Sequence, residues 1–167
     1  MQDRAVQHWA EFIGRPGKAL SRRSKGLLEG TEVRVVKDRG VLHTCGAARE
    51  DGNWLQLEEA AYLVQRQQLH IQGTPLETLF SLLDKRIPAF ALYSYLRRSG
   101  LIPRPAVEGF EVYAASGFVK RLPGPKLYTV VPVGPKDTVE PREEVRVAVV
   151  EQGRVLRLVE FARWQGS

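Results

Sequence analysis

The stretch from Gly52 to Pro103 constrains this chain more than any other, because proline and glycine bound its helices so closely. Thr74-Pro75-Leu76-Glu77 reads as a helix start. Thr74 caps, Pro75 takes the first helical position, where its missing N–H is no loss, and Glu77 completes a capping box. Leu76, Leu79, Phe80 and Leu83 then fall on one buried stripe. Pro88 opens a second helix in the same way. Leu92, Tyr95 and Leu96 line its inner face, Arg97 and Arg98 complement the dipole at its C-terminal end, and Gly100 is the left-handed stop. Upstream, Leu57, Ala60, Ala61 and Val64 mark a further helix. Glu58 and Glu59 lie in its first turn, where the macrodipole favours negative charge, so these adjacent carboxylates need no catalytic explanation. Leu69 to Ile71 reads as a short strand.

The flanking segments follow other periods. Ala5, Val6, Trp9, Ala10 and Ile13 have helical spacing, and Arg15-Pro16-Gly17 ends that helix. A second, more polar helix is expected through Leu20 to Leu28. Thr31 to Val36 alternates as a strand, Lys37 to Gly40 is a turn, and Val41 to Cys45 resumes as a strand. Asp51-Gly52-Asn53 is another turn before Trp54-Leu55, which makes a small antiparallel meander. After Pro105 the chain turns β-rich. Phe110 to Tyr113 and Leu127 to Val133 are strands, and Val145 to Val150 and Val155 to Phe161 form a hairpin across Glu151-Gln152-Gly153-Arg154. The expected fold class is α+β. N-terminal helices and the meander precede a helix pair of winged-helix shape and a C-terminal mixed sheet. The domain division that follows is a helical arm over 1–30, an α/β lobe over 31–73 and a C-terminal lobe over 74–167.

Composition bounds the function. Of 167 residues, 43% are apolar and 26% charged, which suits a packed globule rather than a disordered chain. No apolar run has the length of a membrane span, and the charged start MQDRAVQHWAEF is no secretory leader. Cys45 is the one cysteine, so no internal disulfide forms, and His8, His43 and His70 lack ligand spacing. Neither a metal site nor a cofactor is expected. The net charge of +6 favours a polyanionic partner through counterion release. Arg15, Lys18, Arg22, Arg23 and Lys25 follow one another without an acid, as a solvated arm, an import patch or an RNA-contacting arm.

Certain words of this sequence resemble a known family. Cys45-Gly46 and Gly52-Asn53-Trp54-Leu55, leading into LEEAAYLVQRQQLHI, resemble the N-terminal region of a tRNA-splicing endonuclease subunit. PLETLFSLL and FALYSYLRRSGLIPR resemble that family's next two helices and following strand. FEVY, LYTVVPV and RVAVVEQGRVLRLVEFARW resemble its C-terminal sheet. The likeness is nearest to the noncatalytic subunit 54 class and spans most of the chain. It implies a structural subunit that assembles with a catalytic subunit and the other members of the complex, and that helps place precursor tRNA. It also implies an endonuclease-like C-terminal lobe and a nuclear location, with the cytosolic face of mitochondria as the alternative.

Cutting members of the family use Tyr, His and Lys together on one phosphodiester, where one group takes the hydroxyl proton, another protonates the leaving oxygen and a cation offsets the phosphate charge. Tyr113 stands where the family tyrosine would be. The histidine position carries Pro125-Lys126-Leu127, and the lysine position carries Glu140-Pro141-Arg142-Glu143-Glu144, where Pro141 discourages a helix. The resemblance therefore implies a degenerate site, with no nuclease activity of the chain itself. It also implies that the last strand meets a cutting subunit. Val155, Leu156, Leu158, Val159 and Phe161 put apolar groups on both faces of that strand, as in a central or interface-bound strand. The resemblance also implies an acidic docking turn before that strand, of which only Glu151 remains here, with an ordinary hairpin turn as the alternative. Arg97, Arg98, Arg104, Lys120, Arg121 and Lys126 are the candidates for tRNA phosphates. Two other readings compete. One is a winged-helix module with Ser94, Arg97 and Arg98 on a DNA-reading or protein-docking helix. The other is a self-sufficient archaeal-type endonuclease, which the missing His and Lys disfavour.

Overall fold

Where a polar helix is expected over Leu20 to Leu28, the chain instead makes a short 3-10 turn (Leu20–Arg22) and a strand, β1 (Ser24–Glu29). Gly26 explains the change. A glycine weakens a helix interior. Here its bare Cα lets β2 (Glu32–Lys37) approach, since a Cβ would meet Val33 Cγ1 at 2.6 Å. Strand β1 is hydrogen-bonded on both sides, antiparallel to β2 and parallel to β5 (Leu69–Ile71). The computed structural model describes residues 20–160 apart from Lys120 and Glu143. The helix expected over Arg4 to Ile13 lies outside them.

The chain divides into two compact units, residues 1–90 and 91–167. In the first, β3 (Ala47–Arg49) and β4 (Gly52–Gln56) complete a five-stranded sheet of order β3-β4-β2-β1-β5. Of the expected meander, Thr31 to Val36 and Trp54-Leu55 fall largely in β2 and β4, which pair directly with each other in the antiparallel part of a mixed sheet. Val41 to Cys45 is not a strand. It holds a 3-10 turn (Val41–His43) because Asp38 Oδ1 accepts the backbone N–H groups of Gly40 (2.9 Å) and Leu42 (3.2 Å), folding the chain back before a strand can form.

Helix α1 (Leu57–Gln65) follows β4 directly and leads to β5. Its N-terminus is closed by a capping box: Glu59 Oε1 accepts the Gln56 N–H at 3.0 Å. Most of this helix is buried, including Leu57, Ala60, Ala61 and Leu63, whereas Val64 is half-exposed. Helix α2 (Leu76–Asp84) buries Leu79, Phe80 and Leu83. Its cap differs from expectation. Pro75 itself is the N-cap residue, one position earlier than its expected place in the first turn, and no side chain caps the helix.

Helix α3 (Ile87–Arg98) ends at Gly100, whose φ of 80° is the left-handed stop. In the second unit it buries Leu92, Tyr93 and Leu96, and Tyr93 meets Phe110 edge-on at 5.8 Å. Tyr93 holds the inner place expected for Tyr95, which is 38% exposed. The second sheet has the order β10-β9-β8-β7-β6, from β6 (Leu101–Pro105), β7 (Phe110–Ala114), β8 (Tyr128–Val133), β9 (Val145–Glu151) and β10 (Arg154–Glu160). All neighbours are antiparallel except β8 and β9. The β9–β10 turn has φ of 51° at Gln152 and 75° at Gly153, the pair of positive values a two-residue hairpin with matched twist requires. The architecture is therefore mixed α+β, with a few helices and two open mixed sheets. Among the described residues no helix is long and apolar enough to cross a membrane.

Candidate functional site

Alternation along β7 buries Phe110 and Val112 and leaves Glu111 and Tyr113 half-exposed. Glu111 and Tyr113 therefore lie on one side of the strand, and the Tyr113 hydroxyl donates to Glu111 Oε2 at 2.8 Å. Phe118 stands edge-on to Tyr113, with ring centres 6.3 Å apart. Arg104 is the cross-strand partner of Glu111, yet its guanidinium lies 5.3 Å from the Phe118 ring centre. Its Nε is buried without an acceptor among the described residues. Burial raises the Tyr113 pKa above its ordinary value. The hydrogen bond to Glu111 and that carboxylate's charge add to the rise, and Arg104 opposes it. This phenol is thus a neutral donor at physiological pH, held by a carboxylate and two aromatic or cationic neighbours.

A second group of polar side chains gathers where β8 and β9 begin. These strands run parallel with Thr129 opposite Val145 and Val130 opposite Arg146, so the residues before each strand become neighbours. The Thr129 N–H donates to the Glu144 carbonyl at 3.2 Å, and the Leu127 N–H donates to the Val112 carbonyl at 2.8 Å, which fixes both lead-in segments. Lys126, Leu127, Tyr128, Glu144, Val145, Arg146 and Glu160 line the resulting cleft of about 240 Å³. The Arg146 guanidinium lies 3.9 Å from the Tyr128 ring centre, a close cation–π contact, and 3.5 Å from Glu160. Burial raises the Tyr128 pKa, and Arg146 works against that rise. Glu144 has a φ of 66°, uncommon for a residue with a side chain.

The residues singled out from sequence scatter across the second unit. Arg97 and Arg98 stand at the end of α3, Arg104 on β6, Arg121 in a tight turn where Val119 and Leu122 exchange backbone hydrogen bonds, and Lys126 in the cleft. Arg121 itself has a φ of 68°. Arg98 Nε donates to the Ser94 carbonyl at 3.2 Å, so this arginine serves the helix end. Ser94, expected on an exposed recognition face, is 6% exposed and belongs to the packed side of α3. Lys120 and Phe161 lie outside the described residues.

Among the described residues, strand β10 is an edge of its sheet rather than a central strand. Leu156 sits at a bulge between Val155 and Arg157 and is 55% exposed, while Val155, Leu158 and Val159 are half-buried. Glu151 is exposed beside the hairpin turn. Tyr128, Glu144, Arg146 and Glu160 were not evident as a group in the sequence, because the parallel register of β8 with β9 and the antiparallel register of β9 with β10 assemble them. Among the described residues no three His, Cys, Asp or Glu side chains are grouped for a metal. Comparison with protein-family models finds no match, and comparison with curated proteins finds none either.

Proposed function

We propose that this chain is a noncatalytic structural subunit of an RNA-processing complex of the tRNA-splicing endonuclease type, which docks a catalytic partner through β10 and helps position precursor tRNA. The observation that carries the reading is the contrast between the two edges of the second sheet. Edge strand β6 contains Pro103 and Pro105, which lack N–H groups and discourage further pairing. Edge strand β10 contains no proline and presents Leu156 to solvent at its bulge. An edge strand without proline that exposes an apolar side chain suits strand addition by another chain. The net charge of +6 suits an RNA client.

The test is affinity co-purification of the tagged full chain with mass-spectrometric identification of its partners. A catalytic endonuclease subunit is expected, and Leu156→Asp is expected to abolish its recovery without changing the thermal midpoint of the isolated chain. Recovery of no such subunit, or undiminished recovery with Leu156→Asp, overturns the reading. Cleavage of an intron-containing tRNA by the purified chain, abolished by Tyr113→Phe, also overturns it.

A further inference from the structure

We propose that the cleft between the starts of β8 and β9 binds a single unstacked guanine base of RNA, an inference that rests on the RNA-positioning part of the reading above. Lys126 and Glu144 line the same cleft, and neither side chain has a hydrogen-bond or ion-pair partner among the described residues. The ammonium only donates and the carboxylate only accepts. A wholly anionic ligand would meet Glu144 and Glu160, and a wholly cationic one would meet Lys126 and Arg146. A neutral heterocycle with acceptors on one edge and donors on another satisfies both signs. Guanine has that pattern. Its O6 and N7 accept from lysine or arginine, and its adjacent N1–H and N2–H₂ fit the two oxygens of one carboxylate. Adenine, cytosine and uracil lack that neighbouring pair of donors.

The floor of the cleft suits the same ligand. Arg146 lies 3.9 Å from the Tyr128 ring centre, and aromatic rings and guanidinium planes are the surfaces on which unpaired RNA bases stack. At about 240 Å³ the cleft is smaller than pockets for drug-sized molecules and suits one ring system rather than a whole nucleotide. The left-handed backbone at Glu144 is the kind of local strain that gathers at ligand sites.

The experiment is an NMR titration of the isotope-labelled full chain with GMP, AMP, CMP, UMP and inorganic phosphate at equal ionic strength. GMP is expected to shift the Val145 and Arg146 amides saturably, with an apparent Kd about tenfold below that of AMP. Glu144→Gln, a change at an exposed side chain, is expected to erase that preference. Equal binding of the four nucleotides, the same shifts with phosphate alone, no shift with GMP, or a preference unaltered by Glu144→Gln each overturns the proposal. Guanine preference without partner recovery removes the docking part of the subunit reading alone. Partner recovery without guanine preference removes the base site alone.

Discussion

Tyr113 donates its hydroxyl proton to Glu111, two residues away on the same side of β7, at 2.8 Å. Burial opposes phenolate, and the bond also requires the protonated phenol, so the Tyr113 pKa lies above its ordinary value near 10. The sign of the stability effect follows. A group whose folded-state pKa is raised contributes fully below the unfolded pKa, and the contribution is lost as pH rises through the folded value. Wild type should therefore lose stability in the alkaline range above about pH 10, and Tyr113→Phe should lose less over that range. At pH 7 the substitution should cost about 0.5–1.5 kcal/mol for the missing hydrogen bond. Urea unfolding at pH 7 and at a series of alkaline values measures both. A wild type and variant with the same alkaline slope would contradict the assignment.

Two adjacent carboxylates in α1 should respond differently to removal. Glu59 is 2% exposed, and its oxygens accept the N–H groups of Gln56 and Gly46, each at 3.0 Å. It both caps the helix and ties the helix to the preceding loop. Glu59→Ala leaves two backbone donors without that acceptor and should cost about 2–3 kcal/mol. Glu58 makes a looser contact of 3.4 Å with Arg86, whose side chain is 38% exposed. Glu58 is itself 5% exposed, but Glu58→Gln keeps an oxygen facing Arg86 and should cost about 1–2 kcal/mol, less than Glu59→Ala. Equilibrium urea unfolding of the two variants decides the order.

What the sequence made legible was mostly punctuated or periodic. The α3 stop at Gly100, the hairpin turn at Gln152-Gly153 and the stripe of Leu79, Phe80 and Leu83 all depend on residues within a few positions. Strand β1 was missed because its strand character comes from pairing on both sides, with β5 a distant segment of the chain. The sequence left β10 as either a central or an interface-bound strand for a similar reason. Apolar groups at Val155, Leu158 and Val159 suggest burial on both faces, yet neighbour order decides where the strand lies. The cleft was illegible too. Lys126 was noticed as a lone cation, but its proximity to Glu144 and Arg146 depends on the β8–β9 register.

Glycine substitutions separate two physical costs. Gly109 has a φ of 68°, and a Cβ there would overlap the carbonyl oxygen of Val130 in the middle of the sheet. Gly109→Ala combines left-handed strain with a clash against fixed backbone and should cost on the order of 3 kcal/mol or more. Gly30 has a similar φ of 66°, but nothing lies within 4 Å of its would-be Cβ. Gly30→Ala should cost only the conformational part, about 1–2 kcal/mol. Thermal or urea unfolding gives the comparison, and equal losses would show that the Val130 carbonyl yields freely.

Binding of precursor tRNA, if the positioning proposal holds, should depend more on Lys126 than on Arg98. Arg98 is engaged with the Ser94 carbonyl at the end of α3, whereas Lys126 is exposed and has no partner among the described residues. A cation free to neutralise one phosphate releases counterions and adds about 0.7–0.9 to the slope of log K against log salt. Lys126→Ala should lower the slope by about that amount and weaken binding through the lost charge. Arg98→Ala should leave the slope nearly unchanged and instead lower helix stability by a few tenths of a kcal/mol, in the range of a C-terminal dipole contact. Fluorescence anisotropy with labelled precursor tRNA across a salt series measures the slopes. A drop for Arg98→Ala with none for Lys126→Ala would reverse the roles assigned to these two cations.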